Sequence, residues 1–232
     1  EMPYFKESTY IDEELRQELN MVLETGNQAY IDSVMNKIFD DETRLLRGAA
    51  ASRERMRMMA LTTGVVSMAA NGQAFTFDYG IPAGHKSEVT KSWSDPTSDP
   101  IEDIRVAKDK ISDDTGAVIT RAMCDGKTWR YIRNNEKVKK AIFVLTNGAG
   151  AVTDRQLRQY IMDELEIEIF VNDKRYKDEK EEVKKFMPEN TFVMFPEGEL
   201  GKTWFGTTPA ESDLMSGSVA NVSITDTGVA VT

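Results

Sequence analysis

The stretch WSDPTSDPIEDI, residues 93–104, places two Asp-Pro steps four residues apart and then turns directly into a helical pattern. Proline has no backbone N–H to donate and pushes the residue before it out of helical geometry. Pro96 and Asp95 therefore end the strand-like run that leads up to Trp93. Asp99 falls where an N-cap belongs, Pro100 at the first helical position, and Glu102 where a carboxylate reaches back to complete a capping box. Ile101, Ile104, Lys108 and Ile111 follow at spacings of three and four, a mostly apolar stripe ending near Thr115-Gly116. Any fold for this chain must contain a strand-to-helix corner at Trp93, Asp95, Pro96, Asp99 and Pro100. Such a corner is architecture, not catalytic chemistry.

On either side of the corner the hydrophobic period changes. Ile11, Leu15, Leu19, Val22 and Leu23 repeat at helical spacing up to Thr25-Gly26. A second run from Asn27 carries Ile31, Val34, Met35, Ile38 and Phe39, and continues toward Leu45 and Leu46. ASRERMRMMAL, residues 51–61, favours helix throughout, so the first sixty residues are mostly helical. After Gly64, Val65, Val66 and Met68 precede Asn71-Gly72, and Phe75, Phe77 and Tyr79 alternate beyond it, which predicts a type I′ hairpin. His85 to Trp93 alternates again and predicts a further strand. Beyond the corner helix, Val118–Met123 predicts a buried strand, Asp125 the cap of a helix holding Trp129, Tyr131 and Ile132, and Glu136–Val144 is mixed. Thr153-Asp154 opens a helix with Leu157, Tyr160, Ile161 and Leu165; Glu166–Val171 and Thr191–Phe195 predict strands. Alternating helices and strands here indicate an α/β layer. Lys174–Lys185 is too charged for a core and fits an exposed loop or β-arm, and the last twenty or so residues have weak periodicity.

Composition removes several classes of function. The chain of 232 residues is long enough for one sizeable core or two lobes. Its apolar stretches never approach the roughly 18–20 residues that a bilayer demands, and EMPYFKESTY has no signal-peptide core. A start at Glu1 fits a processed or trimmed chain. A lone cysteine, Cys124, cannot form an internal disulfide and fits a reducing compartment. A lone histidine, His85, removes most metal and triad schemes. The net charge of −10 argues against tight wrapping of nucleic acid, which needs a positive surface, though a surface could still face DNA loosely.

Three stretches imitate chemistry. FVLTNGAGAVTD, residues 143–154, looks like a strand, a glycine loop and a helix, with Gly148 and Gly150 placed as the first two glycines of a dinucleotide fold. Thr153 stands where the third glycine belongs, and a plain flexible turn is the better reading of the stretch. PEGELGKT, residues 196–203, ends like a phosphate loop, but Pro196 occupies the required glycine and offers no amide to phosphate. Arg44, Arg47, Arg53, Arg55 and Arg57 form the one basic concentration of note, suited to nucleic acid or an acidic partner, or to pairing with nearby carboxylates or a neighbouring subunit. Asp95, Asp99, Asp103, Asp113 and Asp114 could suggest a cation site, but turn and cap roles explain most of them and no spacing matches a calcium loop. No catalytic residue, cofactor site or metal site is expected.

Four stretches carry a family resemblance: MPYFKE at Met2, GNQAYIDSVMNKIFDDETRLLRGAAASRERMRMMALTTG with the NGQAFTFDYG hairpin, KSWSDPTSDPIEDI, and FMPENTFVMFPEGELGKTWFGTTPAE. In these the sequence resembles the lambda-type major capsid proteins of tailed phages, the capsid protein E family, along nearly its whole length. The resemblance implies an α+β, Hong Kong 97-type capsid fold with a long spine helix, a peripheral β-sheet and an axial α/β domain. Carried onto this chain, it implies N-terminal helices, spine (27–63) and peripheral strands over 1–111, an axial domain over 112–186, and a return to the periphery over 187–232. The corner at residues 93–100 would join the two regions and fix the angle between them. The resemblance also implies that an N-terminal arm, most of an extended loop and a C-terminal strand fall outside the sequence given.

The expectation is therefore a structural shell subunit that assembles with copies of itself into hexamers and pentamers around packaged DNA. Contact with that DNA would be loose and non-specific, and no membrane would be involved. Scaffold or decoration proteins are further possible partners. The expected location is the virion, after assembly in the host cytoplasm. Arg44, Arg47, Arg53, Arg55 and Arg57 are candidates for its subunit interfaces. Two alternatives stay open: a nucleotide-binding α/β enzyme using Gly148 and Gly150, and a DNA-binding factor using the arginines from Arg44 to Arg57.

Overall fold

The computed structural model describes residues 28–70, 73–146, 150–178, 180–204 and 206–207, with isolated positions before and after. Its α1 helix runs unbroken over Gln28–Thr63 and is followed by β1 (Val65–Ala70) paired with β2 (Gln73–Asp78). A single 3-10 turn, Ala83–His85, precedes α2 (Pro100–Thr115). Then come β3 (Ile119–Cys124), α3 (Gly126–Asn134), α4 (Glu136–Thr146), α5 (Asp154–Leu165), β4 (Glu168–Val171), β5 (Arg175–Lys177), β6 (Val183–Lys185) and β7 (Phe192–Pro196). Two short strands, β8 (Ser223–Ile224) and β9 (Ala230–Val231), pair antiparallel.

The chain divides into two compact units, one of Glu1–Met56, Ser67–Thr76 and Thr203–Thr232, the other of Arg57–Val66 and Phe77–Lys202. In the second unit the sheet order is β4-β3-β7, with β4 parallel and β7 antiparallel to β3. Parallel neighbours need a long crossover, and α3, α4 and α5 supply it. Ala122, Cys124 and Ile169 face that helical layer and join Ile101, Ile104, Trp129, Ile132, Val138, Ile142, Leu157 and Ile161 in one core. Full burial of each large aliphatic side chain contributes about 1.5–3 kcal/mol, so the stripe of α2 is held down largely by Ile101 and Ile104. Lys108, the polar member of that stripe, passes its ammonium to the Leu165 carbonyl at 2.6 Å.

Several expectations change form. His85–Trp93 is not a strand: after the 3-10 turn the chain runs through bends and turns to Asp99. Apart from Val89 and Trp93 its alternating positions offer no apolar face, and Val89 stays 43% exposed. Glu102 does not complete a capping box, because Arg105, three residues on, takes its carboxylate at 2.8 Å. Glu136–Val144 resolves into a regular helix, α4. Lys174–Lys185 does form a β-arm, with Arg175↔Lys185 and Lys177↔Val183 as register partners. The helical run Ile11–Leu23, the Asn71-Gly72 turn and Gly148 lie outside the described residues.

Candidate functional site

The corner is built from side chains folding back on their own backbone. Asp95 accepts from both the amide and the hydroxyl of Thr97 at 2.8 Å, an Asx turn that Lys91 supports at 3.3 Å. Those Thr97 bonds hold its carboxyl below the usual carboxylate range. The Ser98 hydroxyl donates to the Asp95 carbonyl at 2.7 Å, closing a second turn. Pro96 is exposed, yet its carbonyl accepts the Glu136 amide at 3.0 Å, so even the exposed side of the corner is tied to α4.

Asp99 caps α2 as the sequence predicts, accepting from the Glu102 amide at 3.3 Å, and Pro100 is buried at the first helical position. The other oxygen of Asp99 pairs with Lys137 at 2.7 Å, and that lysine pulls the carboxyl below its ordinary value. Trp93 donates its indole N–H to Asp103 at 2.8 Å and meets the Phe192 ring edge-on with centroids 5.4 Å apart. Trp93, Asp95, Pro96, Asp99 and Pro100 are thus brought together, and they seat α2 against α4 and β7.

The residue at the centre of this arrangement is one the sequence reading passed over. Asn135 is fully buried between α3 and α4; it donates to Ser98 and, through its own oxygen, accepts from the amides of Lys137 and Val138 at 2.9 and 3.2 Å. It is the N-cap of α4, and its signal was available in an Asn directly before a Glu-led apolar-periodic run. A second missed cluster surrounds Asp125, the buried cap of α3. Lys185 sits 3.8, 3.7 and 3.2 Å from Asp125, Asp173 and Glu189, and Lys127 joins Glu189 at 3.0 Å. These pairs fasten the base of the β5–β6 arm beside α3.

The imitations of chemistry are used structurally where they are described. Thr153, in the place of a third glycine, makes a reciprocal capping box with Gln156. Asp154 beside it accepts from the Trp129 indole and from Arg133, both at 3.0 Å, and these bonds lower its carboxyl. In the PEGELGKT stretch, the carbonyls of Pro196 and Gly198 accept from Arg121 at 2.7 and 2.9 Å. A depression of about 280 Å³ between α2, α4 and α5 is lined by Asp99, Arg105, Lys137, Tyr160 and Glu164. Its ionic groups are already matched, Lys137 with Asp99 and Arg105 with Glu164 at 3.2 Å. Cys124 is fully buried, and desolvation pushes its thiol up to about 12, far from a reactive thiolate.

The five arginines share α1, but not one face of it. At about 100° per residue, Arg44, Arg47 and Arg55 fall together and Arg53 and Arg57 fall nearly opposite. Arg44, Arg47 and Arg57 are exposed, and Arg53 and Arg55 are half-buried. No group of His, Cys, Asp and Glu among the described residues could hold a metal ion, and no described helix is long and apolar enough to cross a membrane.

Comparison with known proteins gives a family match. The family model for the phage major capsid protein E matches residues 1–225. Among solved structures, a protein assigned as a prophage capsid protein from Escherichia coli CFT073 superposes with a TM-score of 0.61 at 18% identity, covering 88% of this chain and 63% of that one. A phage-related protein from Bordetella bronchiseptica RB50 gives a TM-score of 0.48 at 18% identity, covering 75% of this chain and 48% of its own. The chain therefore spans about 63% of the length of the Escherichia coli structure, whose fold it shares. No curated protein matches.

Proposed function

The chain belongs to the phage major capsid protein E family, and we propose on that basis that it acts as a structural subunit of a phage or prophage head. It performs no catalysis in this role and works by self-association. The carrying observation is the family match over residues 1–225 of 232. The shared α+β fold with a prophage capsid protein supports it, as does the structural use of the residues that imitate nucleotide sites.

Within this role α1 is the spine of a Hong Kong 97-type fold, residues 1–111 and 187–232 serve the periphery, and residues 112–186 form the axial domain. The corner at Trp93, Asp95, Pro96, Asp99 and Pro100 fixes where the chain crosses between these regions. Arg44, Arg47, Arg53, Arg55 and Arg57 lie at subunit interfaces. Copies close into hexamers and pentamers through heterologous contacts, the class that generates rings, around DNA touched only loosely by a chain of net charge −10. The protein is then a virion component assembled in the host cytoplasm, with scaffold or decoration proteins as further partners.

Negative-stain electron microscopy of the purified protein tests this: small rings of five or six copies are the expected result. A melting temperature raised by ATP or NAD, and restored to baseline by Gly150→Ala, would replace it with a nucleotide-binding enzyme.

A further inference from the structure

Two helical faces in this chain match each other in charge, shape and spacing. On α1, Arg44, Arg47, Ala51 and Arg55 lie within an arc of about 80°, and on α2, Glu102, Val106, Asp109 and Asp113 lie within about 60°. Each face runs over twelve residues, eleven steps or about 16.5 Å of helix at 1.5 Å per residue. Glu102, Val106, Asp109 and Asp113 are all exposed, and Val106 is an apolar side chain 59% exposed among carboxylates. On α1 the corresponding central position is Ala51, in the small-residue run Gly48-Ala49-Ala50-Ala51.

Orientation decides whether the two faces agree. Laid antiparallel, Arg44 meets Asp113, Arg55 meets Glu102, and Ala51 meets Val106 at equal heights. Arg47 then stands about 1.5 Å from the height of Asp109. Laid parallel, Arg44 still meets Glu102 and Arg55 meets Asp113, but Arg47 stands about 1.5 Å from the height of Val106 and Ala51 faces Asp109, so the central charge pair and the fit at the small residue both fail. We propose that α1 of one subunit packs antiparallel against α2 of a neighbouring copy through these faces, with Val106 seated in the notch at Ala51. This builds on the reading of the chain as a shell subunit and names which surfaces meet. A small residue at the crossing lets helix axes approach toward the 8 Å end of the usual 8–10 Å range. Glu102, already 2.8 Å from its own Arg105, has a second oxygen to offer Arg55. The two faces are different patches, as a ring-forming contact requires. Three turns of helix bury less than the roughly 1,200–2,000 Å² of a stable pairwise interface, so the contact acts with others in a ring.

Charge reversal and cross-linking test the pairing on the full chain. Arg47→Glu and Asp109→Arg should each weaken self-association about tenfold in sedimentation velocity, and mixing the two variants should restore it. Ala51→Cys mixed with Val106→Cys should give a disulfide-linked dimer on oxidation; the buried Cys124 stays unreactive. Self-association unaffected by both reversals overturns the pairing and leaves the shell-subunit reading standing. A disulfide within a single Ala51→Cys/Val106→Cys chain overturns it in favour of an intramolecular contact. Duplex DNA binding that Arg47→Glu abolishes, with self-association unchanged, assigns the row to nucleic acid instead. A chain monomeric at every concentration, with no cross-link, overturns both readings.

Discussion

Asn135 holds Ser98 by two donated hydrogen bonds, 3.0 Å to the backbone carbonyl and 3.2 Å to the hydroxyl, with both residues buried. Thirty-seven positions separate them in the chain. The amide that anchors the corner also caps α4, so one side chain ties the residue before the Asp99 cap of α2 to the start of α4.

Replacing Asn135 by Ala should cost about 2–4 kcal/mol, since a helix cap is lost and buried polar groups of Ser98 lose their partner. Asn135→Asp keeps the cap acceptor and loses the donors, so it should fall between Ala and the unaltered protein. Urea unfolding midpoints measure the order; equal midpoints for all three would show that the corner does not depend on this anchor.

Asp99→Ala should destabilise by about 1 kcal/mol through the lost cap, while Asp99→Asn isolates the charge. The Asp99 carboxyl is held below its ordinary value of 3.8 by Lys137, so the folded state binds its proton less readily than the unfolded chain. Its contribution is therefore complete above that value and fades as pH falls through the lower folded pKa. The gap between unaltered protein and Asp99→Asn should close over that acidic window; a gap constant with pH would mean that the Lys137 pair contributes nothing.

Gly64 and Gly116 offer a controlled comparison. Both have left-handed backbone, φ 72° and 70°, but a Cβ on Gly64 would lie 2.6 Å from the Ile81 side chain, whereas one on Gly116 would meet nothing within 4 Å. Gly116→Ala should cost about 1 kcal/mol from backbone strain alone. Gly64→Ala should cost about 2–3 kcal/mol, the excess being the collision with Ile81. Equal losses would place the whole effect in the backbone.

Legibility followed the range of the interaction that decides each element. The Asp99 cap, the Thr153 cap and the α2 stripe were readable because their partners lie within four residues. Helix α1 was readable as separate runs, and its continuity through Gly48-Ala49-Ala50-Ala51 agrees with the family resemblance. Most of what escaped reading depends on partners far along the chain, Glu102 with its near neighbour Arg105 being the exception. Alternation suggested a strand at His85–Trp93, but hydrogen-bonding neighbours decide a strand, and none pairs there among the described residues. Glu102 fits a capping box by spacing, and Arg105 outcompetes the backbone amide for it. The cap role of Asn135 could be read from its place before Glu136, but its hold on Ser98 became visible only in the fold, and Lys185 only when the β-arm closed on Asp125.

Self-association is the claim on which the account turns, and sedimentation velocity of the purified protein across a concentration series tests it most directly. The account predicts species that grow with concentration toward five or six copies, with a distribution that Arg47→Glu shifts back toward monomer. A single monomeric boundary at every concentration would contradict it.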